Sequence, residues 1–145
     1  MTVREAAPGE LGELLALYLH LHEERMPVER APFERAWARI LADEDHHVIV
    51  CERDGELAAS CVCVVIPNLT RGARPYALVE NVVTRADCRR RGCATACLAR
   101  AVEIAREAGC YKIMLLTGAK DDATLDFYRR VGFNCADKTA FIRWL

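Results

Sequence analysis

The sequence has no apolar run close to the ~18 residues that a membrane-spanning helix requires. Its first ten residues, MTVREAAPGE, hold two acidic side chains and no apolar core, so we expect no secretory signal there. The formal net charge is only −1, whereas general nucleic-acid binders are usually basic throughout. These absences favour a cytoplasmic protein with neither a membrane nor a nucleic acid as partner.

Metal-ligand spacing is also missing. None of the eight cysteines forms a C-x-x-C pair, and the four histidines show no ligand pattern. Most cysteines lie inside apolar stretches, and we interpret them as reduced, buried, small hydrophobic residues. Zinc ligation through Cys93 and Cys97, one helical turn apart, is the alternative. The sequence therefore predicts no metal.

The spacing of apolar residues predicts one α/β (α+β) domain over residues 1–145, without repeats or linkers. Asp54-Gly55 joins two β-branched stretches and is typical of a hairpin turn. Residues 69–75 are predicted to be a loop. The predicted order, βααβββαβαββ, corresponds to a mixed sheet with helices on both faces. Predicted strands are 2–6, 46–53, 56–68, 76–84, 110–118 and two short strands in 133–145; predicted helices are 8–24, 31–45, 92–108 and 121–132.

Positive charge is concentrated late in the chain. Residues 1–70 carry 6 basic and 13 acidic side chains, and residues 71–145 carry 14 and 8. The stretch RADCRRRGCATACL (85–98) has four arginines in seven positions, directly before a predicted helix start at Gly92. The first amides of a helix have no partner within it and carry the positive end of the helix dipole. This end of the helix suits a phosphate group.

The residues of this stretch predict a cradle for a diphosphate. Gly92 allows close approach of an anion to the backbone, and small residues after it keep the rim low. The arginines add charge-assisted hydrogen bonds. A solvated turn is one alternative; a patch for RNA or DNA is another, although it lacks interleaved aromatic residues. The predicted cradle residues are Arg89, Arg90, Arg91, Gly92, Cys93, Ala94 and Thr95.

Arg89-x-x-Gly92-x-Ala94 resembles the Q/R-x-x-G-x-G/A pyrophosphate loop of the GNAT superfamily, the acyl-CoA-dependent N-acetyltransferases. A preceding strand VENVVT, a following strand CYKIMLL and a helix FYRRVGF stand in the family's order. The stretches VENVVTRADCRRRG and GCYKIML look most similar to glucosamine-6-phosphate N-acetyltransferases and small-amine relatives. The resemblance implies a single-domain, mostly antiparallel sheet of about seven strands and about four helices.

The same resemblance implies specific roles near strand 76–84. In the family this strand splays from its neighbour in a V, and the backbone amides of Val82, Val83 and Thr84 would contact the acetyl group and pantetheine arm. Tyr128 would donate a proton to the departing thiolate; its alternative is core packing. Asp121 stands where the family often has a cofactor-contacting Asn, and it could instead cap the helix.

Four polar residues are candidates for acceptor chemistry. Glu80, an acid inside an apolar strand, could take the proton of the attacking amine if partly desolvated, or could face solvent. Asn81, expected on the opposite side of the strand, could contact substrate or only neighbouring backbone. Arg71 and Arg74 could recognise a phosphate or carboxylate on the acceptor, or belong to a solvated loop.

The resulting hypothesis is an enzyme that moves acetyl from acetyl-CoA to a primary amine of a small molecule, without a covalent intermediate. A non-catalytic acyl-CoA sensor and a protein N-terminal or lysine acetyltransferase are the alternatives. Homodimers are common in the family, although nothing in this sequence identifies one.

Overall fold

The Asp54-Gly55 turn joins two long neighbouring strands of the chain. Both residues have the positive φ that a two-residue hairpin turn requires, 55° and 82°. In the structure, a computed structural model that describes residues 1–145, strand β2 (His46–Arg53) and strand β3 (Glu56–Ile66) pair across this turn. The predicted hairpin is confirmed.

Five strands form one mixed sheet in the order β1-β2-β3-β4-β5. β1 (Thr2–Glu5) and β4 (Tyr76–Thr84) flank the hairpin in antiparallel pairing. β5 (Ile113–Leu115) lies parallel to β4, in a register that runs from Ala77↔Ile113 to Val79↔Leu115. The predicted mixed sheet is therefore correct, but it has five strands and not seven.

Four longer helices cover the sheet: α1 (Leu11–Tyr18), α2 (Ala31–Leu41), α3 (Cys93–Glu107) and α4 (Asp122–Arg130). Pro8–Glu10 and Ala86–Cys88 form short 3-10 turns, and Thr70–Ala73 forms one short helical turn with left-handed residues inside it. The predicted loop at 69–75 therefore contains this turn. No helix combines the length and the apolar composition needed to cross a bilayer.

The two faces of the sheet bury different kinds of side chain. The face under α1 and α2 is aliphatic, with Leu14, Leu17 and Trp37 at its centre. The face under α3 contains six of the eight cysteines, all at most 3% exposed. All eight cysteines are free, and burial raises the pKa of Cys51 to about 12 and that of Cys63 to about 11. Both thiols therefore stay neutral and pack as small apolar groups, as predicted.

Of the strand predictions at the end of the chain, one is confirmed in part and one is wrong. In the predicted strand 110–118 only Ile113–Leu115 pairs, and these residues are half-buried because β5 lies at the sheet edge. Residues 133–145 form no strand at all. Aromatic and β-branched residues favour a strand, but residues 133–145 pair with none of the five strands.

Candidate active site

The loop from β4 to α3 ends in a helix start without a side-chain cap. Gly92 is the N-cap residue, with a left-handed φ of 83°, and no side chain bonds to the first amides. Arg90 also has a positive φ, 59°. Alternation of left-handed and ordinary residues turns successive N–H groups toward one side, which forms an anion-binding concavity.

Six consecutive backbone amides in this loop have no hydrogen-bond acceptor within the protein. The amide of Arg89 donates to the Ala86 carbonyl at 3.4 Å, and the amide of Ala96 donates to the Gly92 carbonyl at 2.9 Å. The amides of residues 90–95, which lie between them, donate to nothing. Because the helix dipole adds partial positive charge here, the loop fits an anion with several oxygen acceptors.

The arginines of the loop differ in their partners. Arg85 bonds to the carboxylates of Asp87 and Glu56, so it is fixed to the protein. Arg89, Arg90 and Arg91 are exposed and have no carboxylate within ion-pair distance. Three cations thus surround the six free amides. They remain available to a ligand.

The small residues after Gly92 do not all line the rim. Thr95 is exposed and Ala94 half-buried, but the side chain of Cys93 is 1% exposed and packs in the core. A buried Cys93 side chain leaves the rim low, as expected of the small residues after Gly92. Only its backbone amide faces the loop.

Strand β4 loses its β5 neighbour halfway along its length. The parallel pairing ends at Val79↔Leu115, whereas β4 continues to Thr84 with β3 as its only strand partner. Between Val62↔Glu80 and Ser60↔Val83 the register shifts, because β4 has one extra residue there. Asn81 has a φ of 52° at this bulge. Val82, Val83 and Thr84 therefore follow a distorted point of the strand and have no strand on the β5 side.

The bulge changes the exposure of Glu80 and Asn81. We expected Asn81 on the opposite side of the strand from Glu80, and Glu80 partly desolvated. Both side chains are exposed, between the buried Val79 and Val83. The simple two-residue alternation fails because a bulge inserts a residue. A clue was present in the sequence, since Asn is among the few residues that tolerate a positive φ.

Two tyrosines approach this region from opposite faces of the sheet. Tyr128 of α4 is half-buried and packs against the cysteine-containing core. Burial is the main cause of its raised pKa, and the nearby Cys61 raises that pKa further. Tyr18 of α1 packs on the aliphatic face, and burial is also the main cause of its raised pKa. The sequence predicted a role for Tyr128 and none for Tyr18.

Asp121 caps α4. Its side chain accepts a hydrogen bond from the Thr124 amide at 2.9 Å, and this bond lowers the pKa of the Asp121 carboxyl. The first amides of α4 are therefore partly satisfied by the protein itself. The cap, which we considered as an alternative to a cofactor contact, is present.

The predicted acceptor-binding arginines lie at the far end of β4. Arg74 donates to the carbonyls of Gly109 and Cys110 at 3.1 and 3.0 Å, so its guanidinium holds the segment that follows α3. Arg71 stacks over the Tyr111 ring, 5.5 Å from its centroid. The start of β4, Tyr76, is four residues from Glu80, or about 13 Å along a strand. The structure therefore does not bring Arg71 and Arg74 together with Glu80.

Two cavities of the protein lie elsewhere. One, of about 530 Å³, is lined by residues 39 and 42–45, and one of about 310 Å³ lies between β1, α2 and β2. Neither contains a predicted site residue. The loop before α3 is an open surface feature and not a closed cavity.

The fold recurs in solved structures of acetyltransferases. A protein from Agrobacterium tumefaciens assigned as an acetyltransferase is 39% identical and superposes with a TM-score of 0.91, covering 99% of this chain and 100% of that one. Glucosamine-6-phosphate N-acetyltransferase from Arabidopsis thaliana has a TM-score of 0.85 at 19% identity, over 99% of this chain and 97% of the other, and shares the fold.

Residues 14–133 match the acetyltransferase (GNAT) family, and the chain belongs to that family. A probable glucosamine 6-phosphate N-acetyltransferase from Oryza sativa is 36% identical over 110 residues, 70% of this chain and 62% of that protein. An uncharacterized N-acetyltransferase from Methanocaldococcus jannaschii is 26% identical over 99% of this chain and 64% of its own length. The chain spans 55–64% of the length of such curated relatives.

Proposed function

We propose that this chain transfers the acetyl group of acetyl-CoA to a primary amine of a small molecule, by direct attack of the amine in a ternary complex. The observation that carries the proposal is the run of six amides, residues 90–95, without an acceptor in the protein. Unsatisfied donors at a helix N-terminus are a ready-made site for phosphate oxygens. The family membership identifies the ligand class as an acyl-CoA.

The diphosphate of acetyl-CoA would lie on these amides. Arg89, Arg90 and Arg91 would add charge-assisted bonds, because none of them has a carboxylate partner in the protein. Gly92 exposes its backbone without a side chain. The residues present thus fit a group with two negative phosphoryl units.

The thioester would lie along the free side of β4. We propose that the absence of β5 pairing beyond Val79 opens into the V-shaped splay of the family, because β4 continues without that neighbour. The backbone amides of Val82, Val83 and Thr84 lie in this part of β4 and would contact the acetyl group and the pantetheine arm. An amide directed at the carbonyl oxygen of the thioester would stabilise the negative charge that develops on attack.

Two side chains would move protons. Glu80 would accept the proton of the attacking amine, directly or through water, since an ammonium has no lone pair; its exposure leaves it open to a bound acceptor. Tyr128 would donate its proton to the departing thiolate. The raised pKa of Tyr128 keeps the hydroxyl protonated at neutral pH, which a proton donor requires.

Direct attack is favoured by the position of the cysteine beside the cradle. The Cys93 side chain is 1% exposed and packs among core residues, so it cannot reach a thioester. A covalent acetyl-enzyme at Cys93 would require the helix start to unfold. The amine therefore attacks the thioester itself.

The acceptor is proposed to be a small amine of the amino-sugar type. Curated relatives at 32–36% identity are named glucosamine 6-phosphate N-acetyltransferases. Asn81, exposed next to Glu80, is the proposed acceptor contact. We do not propose Arg74 for that role because the carbonyls of Gly109 and Cys110 occupy its guanidinium, and Arg71 would reach only a long acceptor. The cytoplasmic location stays a prediction.

A thiol-release assay with acetyl-CoA and pooled amines, amino sugars and aminophosphonates tests the proposal. We expect release of CoA with amino sugars, and a loss of about 100-fold in kcat for Tyr128→Phe. Tyr111→Phe, at the far end of the sheet, is the matched control and should retain activity. Glu80→Gln should reduce the rate more at neutral pH than at high pH, where free amine is abundant.

Binding of acetyl-CoA without release of CoA in any amine pool would favour a non-catalytic acyl-CoA sensor. Preferential acetylation of peptides would favour the protein acetyltransferase. An equal loss of rate for Glu80→Gln at every pH would show that Glu80 positions the acceptor and does not take its proton.

A further inference from the structure

The buried core of the protein contains one polar side chain, Ser60 of β3. Ser60 is 0% exposed, and its hydroxyl donates to the Ile49 carbonyl of β2 at 2.9 Å. Because a hydroxyl has a single hydrogen, Ser60 can only accept a hydrogen bond from any other group. Its second partner is the side chain of Tyr18 on α1. The Tyr18 hydroxyl therefore donates its hydrogen to Ser60.

The direction of this hydrogen bond determines what the Tyr18 oxygen can still bind. Ser60 is the only side chain that forms a hydrogen bond with the Tyr18 hydroxyl, and the Tyr18 side chain is half-buried and not fully enclosed. The hydrogen is in use, so the oxygen offers a ligand only its lone pairs. Lone pairs bind a donor, such as a hydroxyl or an amine. They do not bind a phosphate or a carboxylate.

Tyr18 lies on the same face of the sheet as Glu80. Residues that are paired directly across two antiparallel strands project to one face. Glu80 pairs with Val62, and Val62 and Tyr18 both belong to the aliphatic face under α1 and α2. Tyr128 packs on the opposite face. An acceptor whose amine reaches Glu80 therefore approaches the sheet on the side of Tyr18.

The Tyr18 hydroxyl and Glu80 are separated by a short distance along the sheet. Ser60, which bonds to Tyr18, lies two positions before Val62, the partner of Glu80, and two residues of a strand span about 7 Å. A hydrogen bond of about 2.8 Å at each end leaves room for a short link between two polar groups of a ligand. An amine and a hydroxyl on neighbouring carbon atoms have such a link.

We propose that Tyr18 determines acceptor specificity, because its hydroxyl oxygen accepts a hydrogen bond from a hydroxyl group next to the acceptor's amine. The site then takes amino alcohols with adjacent polar groups, a class that includes amino sugars, in preference to simple alkylamines. A site that bonds to a substrate hydroxyl discriminates against the analogue that lacks it, because the polar group of the protein stays unpaired. This inference rests on the proposed function and adds the group that the acceptor must carry.

Two acceptors that differ by one hydroxyl group test the proposal. The probes are an aminocyclohexanol with adjacent amine and hydroxyl groups, and cyclohexylamine, with CoA release measured at saturating acetyl-CoA. Tyr18→Phe should lower kcat/KM for the amino alcohol by about 10-fold, through KM, because one hydrogen bond is lost. It should leave the value for cyclohexylamine and the KM for acetyl-CoA within about twofold. The different basicities of the amines cancel, since each protein meets both.

A second variant separates specificity from folding. Tyr18→Phe leaves the buried Ser60 hydroxyl without its donor, whereas Tyr18→Phe/Ser60→Ala removes both groups, which is nearly neutral for stability. The double variant should show the same loss of preference for the amino alcohol, with a circular dichroism spectrum of folded protein. Tyr111→Phe, at the far end of the sheet, is the matched control and should keep the preference of the unaltered chain.

Failure of this inference differs from failure of the proposed function. CoA release with an unchanged preference in both Tyr18 variants, or with an equal loss for both amines, would overturn the role of Tyr18 and leave acetyl transfer intact. If neither amine causes CoA release, the two amines are titrated calorimetrically into the complex of the protein with CoA. Weaker binding of the amino alcohol alone in Tyr18→Phe would then support the role of Tyr18. Unchanged binding, or no binding of either amine, would overturn it.

Discussion

The two ends of helix α3 differ in how the protein treats their unpaired backbone groups. At the C-terminal end, the amides of Gly109 and Cys110 donate to the carbonyls of Arg106 and Ala105, and Arg74 bonds to the carbonyls just beyond the helix. At the N-terminal end, six amides have no acceptor and three arginines have no carboxylate partner. Helix ends normally find caps, so the unfinished end is the one available to a ligand.

Helix α4 makes the difference sharper. Its N-terminus carries the Asp121 cap, which bonds to the Thr124 amide. The chain therefore can cap a helix start with a carboxylate, and it does so on the neighbouring helix. At α3 a carboxylate cap would repel phosphate, and glycine stands there instead.

The largest expected effect is on CoA binding, when charge is removed at the N-terminal end of α3. The variant Arg90→Ala/Arg91→Ala should weaken CoA binding by about 100-fold, since each charge-assisted hydrogen bond contributes about 1.5–3 kcal/mol. The weakening should diminish as salt increases. Isothermal titration calorimetry measures it, with Arg106→Ala in the last turn of the same helix as control. Equal losses for both variants would show that the end of the helix is irrelevant.

A smaller effect is expected at the N-cap. Gly92 has a φ of 83°, where a Cβ costs about 1–2 kcal/mol. Gly92→Ala should lower the free energy of unfolding by about that amount and weaken CoA binding by about 10-fold, because a methyl group crowds the amides. Chemical denaturation and calorimetry give the two values. Unchanged CoA affinity in a destabilised variant would remove Gly92 from the binding site.

At the C-terminal end of α3, a substitution should change stability alone. Arg74→Ala should reduce the free energy of unfolding by about 1 kcal/mol, because two carbonyls lose a donor. CoA affinity should remain within about twofold. Arg71→Ala, in the same turn but without carbonyl bonds, is the control for loss of a surface arginine. A large loss of CoA affinity in Arg74→Ala would contradict the assignment of Arg74 to the helix end.

The smallest effect is expected at the Asp121 cap. Asp121→Ala should lower the melting temperature at neutral pH. Because the Thr124 amide lowers the pKa of Asp121, the stabilisation is present above the ordinary aspartate pKa and disappears as pH falls through the lowered value. Melting curves of the two proteins should therefore converge in strong acid. Asp121→Asn, which keeps an oxygen acceptor, should restore much of the difference at neutral pH.

Local signals predicted much of the fold. Asp54-Gly55 specifies its own turn geometry, and the apolar spacing of 92–108 specifies a helix, so both were predictable from a few residues. The open cradle was also predictable, since no Ser, Thr, Asp or Asn stands at the start of α3. These features depend on neighbours in sequence.

Features that depend on distant residues were not predictable. Strand formation in 133–145 depends on pairing with a strand that is distant in sequence, and these residues pair with none. The use of Arg74 depends on where α3 ends in space, 35 residues later in the chain. The bulge at Asn81 arises from a register shift against β3, and the only local sign of it is that Asn tolerates a positive φ.

The unequal lengths of the strand pairings have a consequence for hydrogen–deuterium exchange. β2 and β3 pair from His46↔Val64 to Arg53↔Glu56, whereas β4 and β5 share only three residue pairs. The amides of Ile49 and Cys61 should therefore exchange only when the whole chain unfolds. The amide of Met114 should exchange through local openings that cost much less free energy. Binding of CoA beside β4 should slow the exchange of the Met114 amide far more than the exchange of the Ile49 and Cys61 amides.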